Sequence, residues 1–189
     1  MFIMIKNLTT FTKKTGLLQL ILSCAFFWAG NVQLKAQTVL FNEDWSSNNF
    51  TANGWTFDPS QGNWTVGNGY LPIGGTYPNA YFTYNPIQTS YSFALVSPVI
   101  NATNYTNLTL DFGLYLSNYS LATLEQFKVE YKKTTDTSWI VFNNYNNAAS
   151  SFYVNPSNVS LIGMDNSSFQ IRFVAYGLNS DNILSLIHI

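Results

Sequence analysis

The sequence predicts an all-β protein, two antiparallel sheets packed as a β-sandwich of jelly-roll type. Three observations carry that prediction. Apolar residues alternate with period two through "LTLDFGLYL" and "FKVEYKK", the spacing that lays one face of an antiparallel strand on a core. Aromatics make up 17% of the 189 residues and charged residues only 9%, against the roughly 25% charge of typical soluble domains. The core is therefore well supplied, and the surface is built from amides and hydroxyls. Gly and Pro also punctuate the chain at short intervals, and no helical period is sustained.

The elements follow in order. "TVLF" (38–41) reads as an opening strand. A loop-rich aromatic section comes next, with "NGWTF", "DPSQGNW", "VGNGYLPIGG" and "YPNAYFTYNP" carrying most of the turn chemistry. "SFALV" (92–96) is a strand closed by Ser97-Pro98, because proline lacks the ladder donor. In "LTLDFGLYL", Leu108, Leu110, Phe112, Leu114 and Leu116 share one face, and Thr109, Asp111, Gly113 and Tyr115 the other. "FKVEYKK" turns Phe127, Val129 and Tyr131 inward and Lys128, Glu130 and Lys132 outward. "SWIVFNN" and "FQIRFVAY" complete the strands, and the weak helical candidates are the short runs "SLATLEQ" and "NPSNVSLIGM".

The first 36 residues form a separate unit of sense. Lys6, Lys13 and Lys14 precede the apolar run "GLLQLILSCAFFWAG", and a cleavage point follows Ala36. This is the anatomy of a secretory signal peptide, the run being short for a membrane span. Cys24 in "ILSC" offers a rival reading as a lipidation site, opposed by the apolar "AFFWAG" that continues past it. Residues 37–183 are assigned to the sandwich, truncated at its C-terminus and lacking its last strand. The final hexapeptide 184–189, "LSLIHI", is what one frame of a common sequencing-library adapter encodes and is assigned to that source.

Composition excludes several functions. From residue 37 onward Lys128, Lys132, Lys133 and Arg172 face nine acidic residues, a net charge of −5. No basic stretch provides the footprint that nucleic acid requires. With no cysteine after Cys24 and His188 confined to the terminal hexapeptide, neither a nucleophilic triad nor a zinc site can be assembled. Glu125 and Glu130, five apart on one strand, point to opposite faces and cannot converge as glycosidase carboxylates do. The chain is expected to be non-catalytic.

Aromatic residues in the loop-rich section suggest carbohydrate binding, since sugar rings stack on exposed aromatic faces. Trp55 and Trp64 are expected to be buried plugs instead. Tyr70, Tyr77 and Tyr81 remain as candidate ligand-binding residues.

In their order, "LFNEDW", "NGWTF", "GNWTV", "ALVSPVI", "NLTLDFGLYL", "FKVEYKKTTDTSWIVF" and "FQIRFVAY" resemble the cleaved-adhesin family, a MAM-like or choice-of-anchor jelly roll of secreted Bacteroidetes-type proteins. The likeness runs over residues 38–183. It departs from the family at its end, where a tryptophan strand with paired aspartates is missing. The resemblance implies a secreted or cell-surface adhesion module contacting a glycan or an extracellular protein, as part of a larger exported chain. Its rival is an accessory domain of a secreted hydrolase whose catalytic domain lies elsewhere. The resemblance further implies a structural Ca2+ at Glu43, with Asp44 and Asp181 as further ligands. The alternative is that Glu43 and Asp44 form a solvated pair capping a turn.

Overall fold

Alternating apolar residues can be satisfied only by burying one side of each strand, and the chain does this between two antiparallel sheets. In the computed structural model the described residues are 37–68, 77–83, 85–118, 124–146, 152–154, 156, 158–178 and 183–188. Of residues 117, 118, 124, 152 and 183–188 only the backbone is described. The signal-peptide region, Cys24, Tyr70 and Asp181 lie outside them. The chain divides into Met1–Thr38 and Val39–Ile189, and the sandwich belongs to the second unit.

The first sheet, sheet A, runs β1 (Thr56–Asp58), β4 (Ser90–Val96), β12 (Ser168–Leu178), β8 (Leu124–Lys133), β9 (Ile140–Asn146), with β5 (Ile100–Asn101) also pairing β12. The second, sheet B, runs β10 (Phe152–Val154), β7 (Gly113–Asn118), β13 (Ile183–His188), β3 (Asn79–Phe82), β2 (Trp64–Gly67). A small ladder joins β6 (Thr109–Leu110) to β11 (Val159–Ser160). All registered pairs are antiparallel. Among the described residues the only helix is a 3-10 turn, Thr51–Asn53, and none is long and apolar enough to cross a membrane.

The predicted faces are borne out along the long strands. Leu110, Phe112, Leu114 and Leu116 are all buried, although Asp111 and Phe112 interrupt the run and divide it between β6 and β7. Phe127, Val129 and Tyr131 are buried, and Glu125 and Glu130 do point to opposite sides of β8. Trp55 and Trp64 are buried plugs, each 1% exposed. The core they join is dominated by Trp45, Phe82, Leu95, Phe127 and Phe173.

Four expectations change. Residues 38–41 form no strand; Leu40 and Phe41 pack against the core, part-burying their side chains without joining a ladder. The loop-rich section holds three short strands, β1 to β3, because its turns leave three or four residues between them and that is enough to pair. The helical candidate at 120–126 enters β8 from Leu124 onward, where the partner strand overrides a weak helical preference. In the other candidate, Val159 and Ser160 form β11 and no helix is present among its described residues. The backbone of 183–188, the segment assigned mostly to adapter sequence, occupies the slot between β7 and β3.

The Ser97-Pro98 break has a specific geometry. β4 ends at Val96, yet Ser97 continues the connection to β12 in another form. Its N–H donates to the Ile171 carbonyl at 2.9 Å, and its Oγ accepts the Ile171 N–H at 3.0 Å. The Gln170 side chain donates to the Ser97 carbonyl at 2.9 Å. The hydroxyl thus takes the place of a ladder acceptor where proline ends the strand. Ser97 is 1% exposed, so Ser97→Ala leaves the Ile171 N–H without a partner. The expected cost is about 1–3 kcal/mol, read as a lower urea midpoint at unchanged m-value.

Candidate functional site

Two places in the fold bear on the sequence-predicted sites. The first is Glu43, which lies just before an aromatic knot. Trp45 packs against Phe50 and Trp55 with ring centroids 5.5 and 5.0 Å apart, and Phe41 packs on Trp55 at 5.9 Å. Glu43 is 2% exposed, and its carboxylate faces N–H donors on every resolved contact. Oε1 accepts from the Trp45 backbone N–H at 2.7 Å and from Asn53 Nδ2 at 3.0 Å. Oε2 accepts from Asn53 Nδ2 at 3.0 Å and from Trp55 Nε1 at 2.8 Å. A carboxylate offers about four lone-pair sites, and here all four are directed at N–H groups.

Calcium requires a shell of oxygen acceptors, whereas the neighbours of Glu43 are donors. Asp44 turns away into a local turn, its Oδ1 accepting the Ser46 N–H at 2.9 Å. Among the described residues no three His, Cys, Asp or Glu side chains converge. The described Glu43 carboxylate is thus occupied by N–H donors, and Asp181, the third residue of the expected calcium set, lies outside the described residues. The solvated-pair alternative does not describe Glu43, which is a buried anchor, while Asp44 is exposed.

The second place is the outer face of sheet B. Strand register places Thr65 opposite Tyr81, Tyr81 opposite position 186, position 186 opposite Tyr115, and Tyr115 opposite Tyr153. Leu114, Leu116, Ala80, Phe82 and Trp64, the residues adjoining this row along the strands, are buried, so the row itself points away from the core. Tyr81 and Tyr115 are half-buried and Tyr153 is exposed. Tyr115 and Tyr153 stack on each other, centroids 4.4 Å apart at an interplanar angle of 28°. Tyr81 leans the other way, toward Gly67 of β2; a Cβ at Gly67 would stand 3.8 Å from the Tyr81 hydroxyl and 3.9 Å from Asn48 Oδ1.

Of the three sequence candidates, Tyr81 belongs to this row and Tyr77 is exposed just ahead of β3. Tyr115 and Tyr153 were not among the candidates. The outward position of Tyr115 was legible from its alternation, but the partnership with Tyr153 depends on how β10 pairs.

The outer face of sheet A is chemically different. Trp139 lies over Ala94, Val96 and Val174, which are buried although they face outward. Arg172 and Lys132 sit over its ring at 4.3 and 4.8 Å, and Arg172 pairs with Glu130 at 2.5 Å. Lys128 sits over Tyr176 at 4.8 Å. Around Trp139 that face is covered by its own side chains.

No protein-family model matches the sequence, and no curated protein does. Among solved structures the fold is similar to a family 61 carbohydrate-binding module determined in complex with β-1,4-galactotriose. The TM-score is 0.51 at 10% identity, with 81% of this chain and 95% of that one covered. A family 28 module specific for non-crystalline cellulose gives 0.48 at 12% identity, covering 81% and 92%. A xylan-binding domain of family 22 gives 0.42 at 10%, covering 78% and 89%. At these identities the likeness is one of fold. It supports the jelly-roll sandwich, with the first of the three carrying that statement.

Proposed function

We propose that this chain is a non-catalytic glycan-binding module, exported from the cell, that presents the outer face of sheet B to its ligand. The observation that carries the reading is the transverse tyrosine row, Tyr81, Tyr115 and Tyr153, on a sheet face that no described side chain closes. Tyrosine combines an apolar ring that packs against sugar C–H groups with a hydroxyl that bonds sugar hydroxyls. The signal-like residues 1–36 support export. The ordered motifs quoted above support placement among cleaved-adhesin-like jelly rolls. The likeness to a module solved with a galactotriose supports a carbohydrate ligand. Attachment to a larger exported chain, whether adhesin or hydrolase, is compatible with the same binding face.

The test is titration of the folded chain with soluble polysaccharides. Tyr115→Ala and Tyr153→Ala together are expected to weaken binding by about thirtyfold or more, the loss of roughly 2 kcal/mol that marks a binding hot spot. Lys128→Ala, on sheet A, is expected to leave binding unchanged. Equal loss from both substitutions, or none from either, would remove sheet B from the site.

A further inference from the structure

Charge is segregated between the two sheets. Strands β2, β3, β7 and β10 of sheet B contain no Asp, Glu, Lys or Arg. The four basic residues after residue 36, Lys128, Lys132, Lys133 and Arg172, all lie on β8 and β12 of sheet A. A carboxylate or sulfate held against sheet B would lose water without gaining a counter-charge, which is costly, and it would approach a segment of net charge −5.

The row also has length and a polar end. From Thr65 on β2 to Tyr153 on β10 it crosses four strand spacings, about 19 Å at roughly 4.8 Å each. This suits a chain of several sugars and exceeds a single one. At the β2 end, Gly67 leaves a bare floor beside the Tyr81 hydroxyl and the Asn48 amide. Asn48 is exposed and held in the left-handed region at φ 51°, a conformation that asparagine tolerates better than most residues. A hydroxyl and an amide meeting over a glycine can exchange hydrogen bonds with sugar hydroxyls, and they carry no charge.

We infer that the ligand of this face is an uncharged, extended glycan lying across the strands, with one end held over Gly67 by Tyr81 and Asn48. This inference rests on the glycan-binding reading above. It is tested by calorimetric titration with β-1,4-galactan and hydroxyethylcellulose as neutral probes, and polygalacturonate and heparin as anionic ones. At least one neutral polymer is expected to bind with little dependence on salt, oligosaccharide affinity is expected to rise with length, and the anionic polymers are expected to stay unbound. Tyr81→Phe removes only a hydroxyl. Asn48→Gly removes only the amide side chain and keeps the backbone conformation. Each is expected to weaken binding about three- to tenfold, the value of a hydrogen bond.

The outcomes separate cleanly. Preferential, salt-sensitive binding of polygalacturonate or heparin overturns the uncharged ligand and leaves the glycan-binding reading in place. Affinity independent of oligosaccharide length overturns the extended chain. Full binding by Tyr81→Phe and Asn48→Gly overturns the anchor over Gly67. Absence of binding to all four polymers overturns the glycan-binding reading and this inference with it.

Discussion

Glu43→Ala is expected to lower stability by about 2–6 kcal/mol, because two buried donors lose their acceptor at roughly 1–3 kcal/mol each. Those donors are the Trp45 backbone N–H and the Trp55 indole N–H. Against a typical total of about 5–15 kcal/mol, such a loss brings the fold near its limit. Glu43→Gln tests why a carboxylate is needed. The amide keeps the volume and one oxygen, but the Trp45 N–H and the Trp55 indole N–H sit on different carboxylate oxygens, so its NH2 must face one of these two donors. It is therefore expected to be destabilising despite its shape. Trp55→Phe keeps most of the ring packing and removes one donor, so the cost of Glu43→Gln measured in that background is expected to shrink. A coupling of about 0.5–3 kcal/mol is the range for residues in direct contact. The melting temperature is expected to be the same with and without millimolar calcium. A calcium-dependent rise that vanishes in Glu43→Gln would overturn this account of the carboxylate.

Gly177→Ala is the second large effect. Gly177 lies on β12 opposite Tyr91 of β4, and an added Cβ would stand 2.4 Å from Tyr91 Cε1 and 2.6 Å from Cζ. The ring has little freedom to withdraw, because Tyr91 stacks on Phe82 at 5.3 Å and on Phe93 at 6.4 Å. Phe82 also packs edge-on against Trp64 at 5.5 Å. One methyl group therefore pushes on a row of four aromatic rings. Overpacking of this kind costs about 1–3 kcal/mol, a fall in melting temperature of about 2–4 °C per kcal/mol for a chain of this size. In a Tyr91→Leu background the penalty is expected to fall, since the displaced atoms are gone. An undiminished penalty there would mean that the backbone of β12, and not the ring, sets the cost.

Much of this was open to reading from the residues. Alternation assigned the inward faces of β7 and β8, because a period of two has only one way to bury its apolar half. It also placed Tyr115 outward. The two tryptophans of the loop-rich section were read as core. The site was less legible. Glu43 was singled out for its type and its neighbour Asp44, but its partners are Trp45, Asn53 and Trp55, and nothing local says that all of them turn N–H groups toward it. Tyr153 sits in a three-residue strand that only its pairing with β7 reveals.

Local pattern by itself determined the fold class and the inward faces of the long strands. Each of those depends on residue type and short-range spacing. Only the tertiary structure decided which strands became neighbours. Bringing β2, β3, β7 and β10 into one sheet with β13 aligned Tyr81, Tyr115 and Tyr153 in a single row, although Tyr81 and Tyr153 are distant in sequence. The same pairing sent every basic residue after residue 36 to the other sheet. Strand order is set by long-range packing of faces that look alike in sequence, and for that reason a site spread over five strands cannot be read from any one of them.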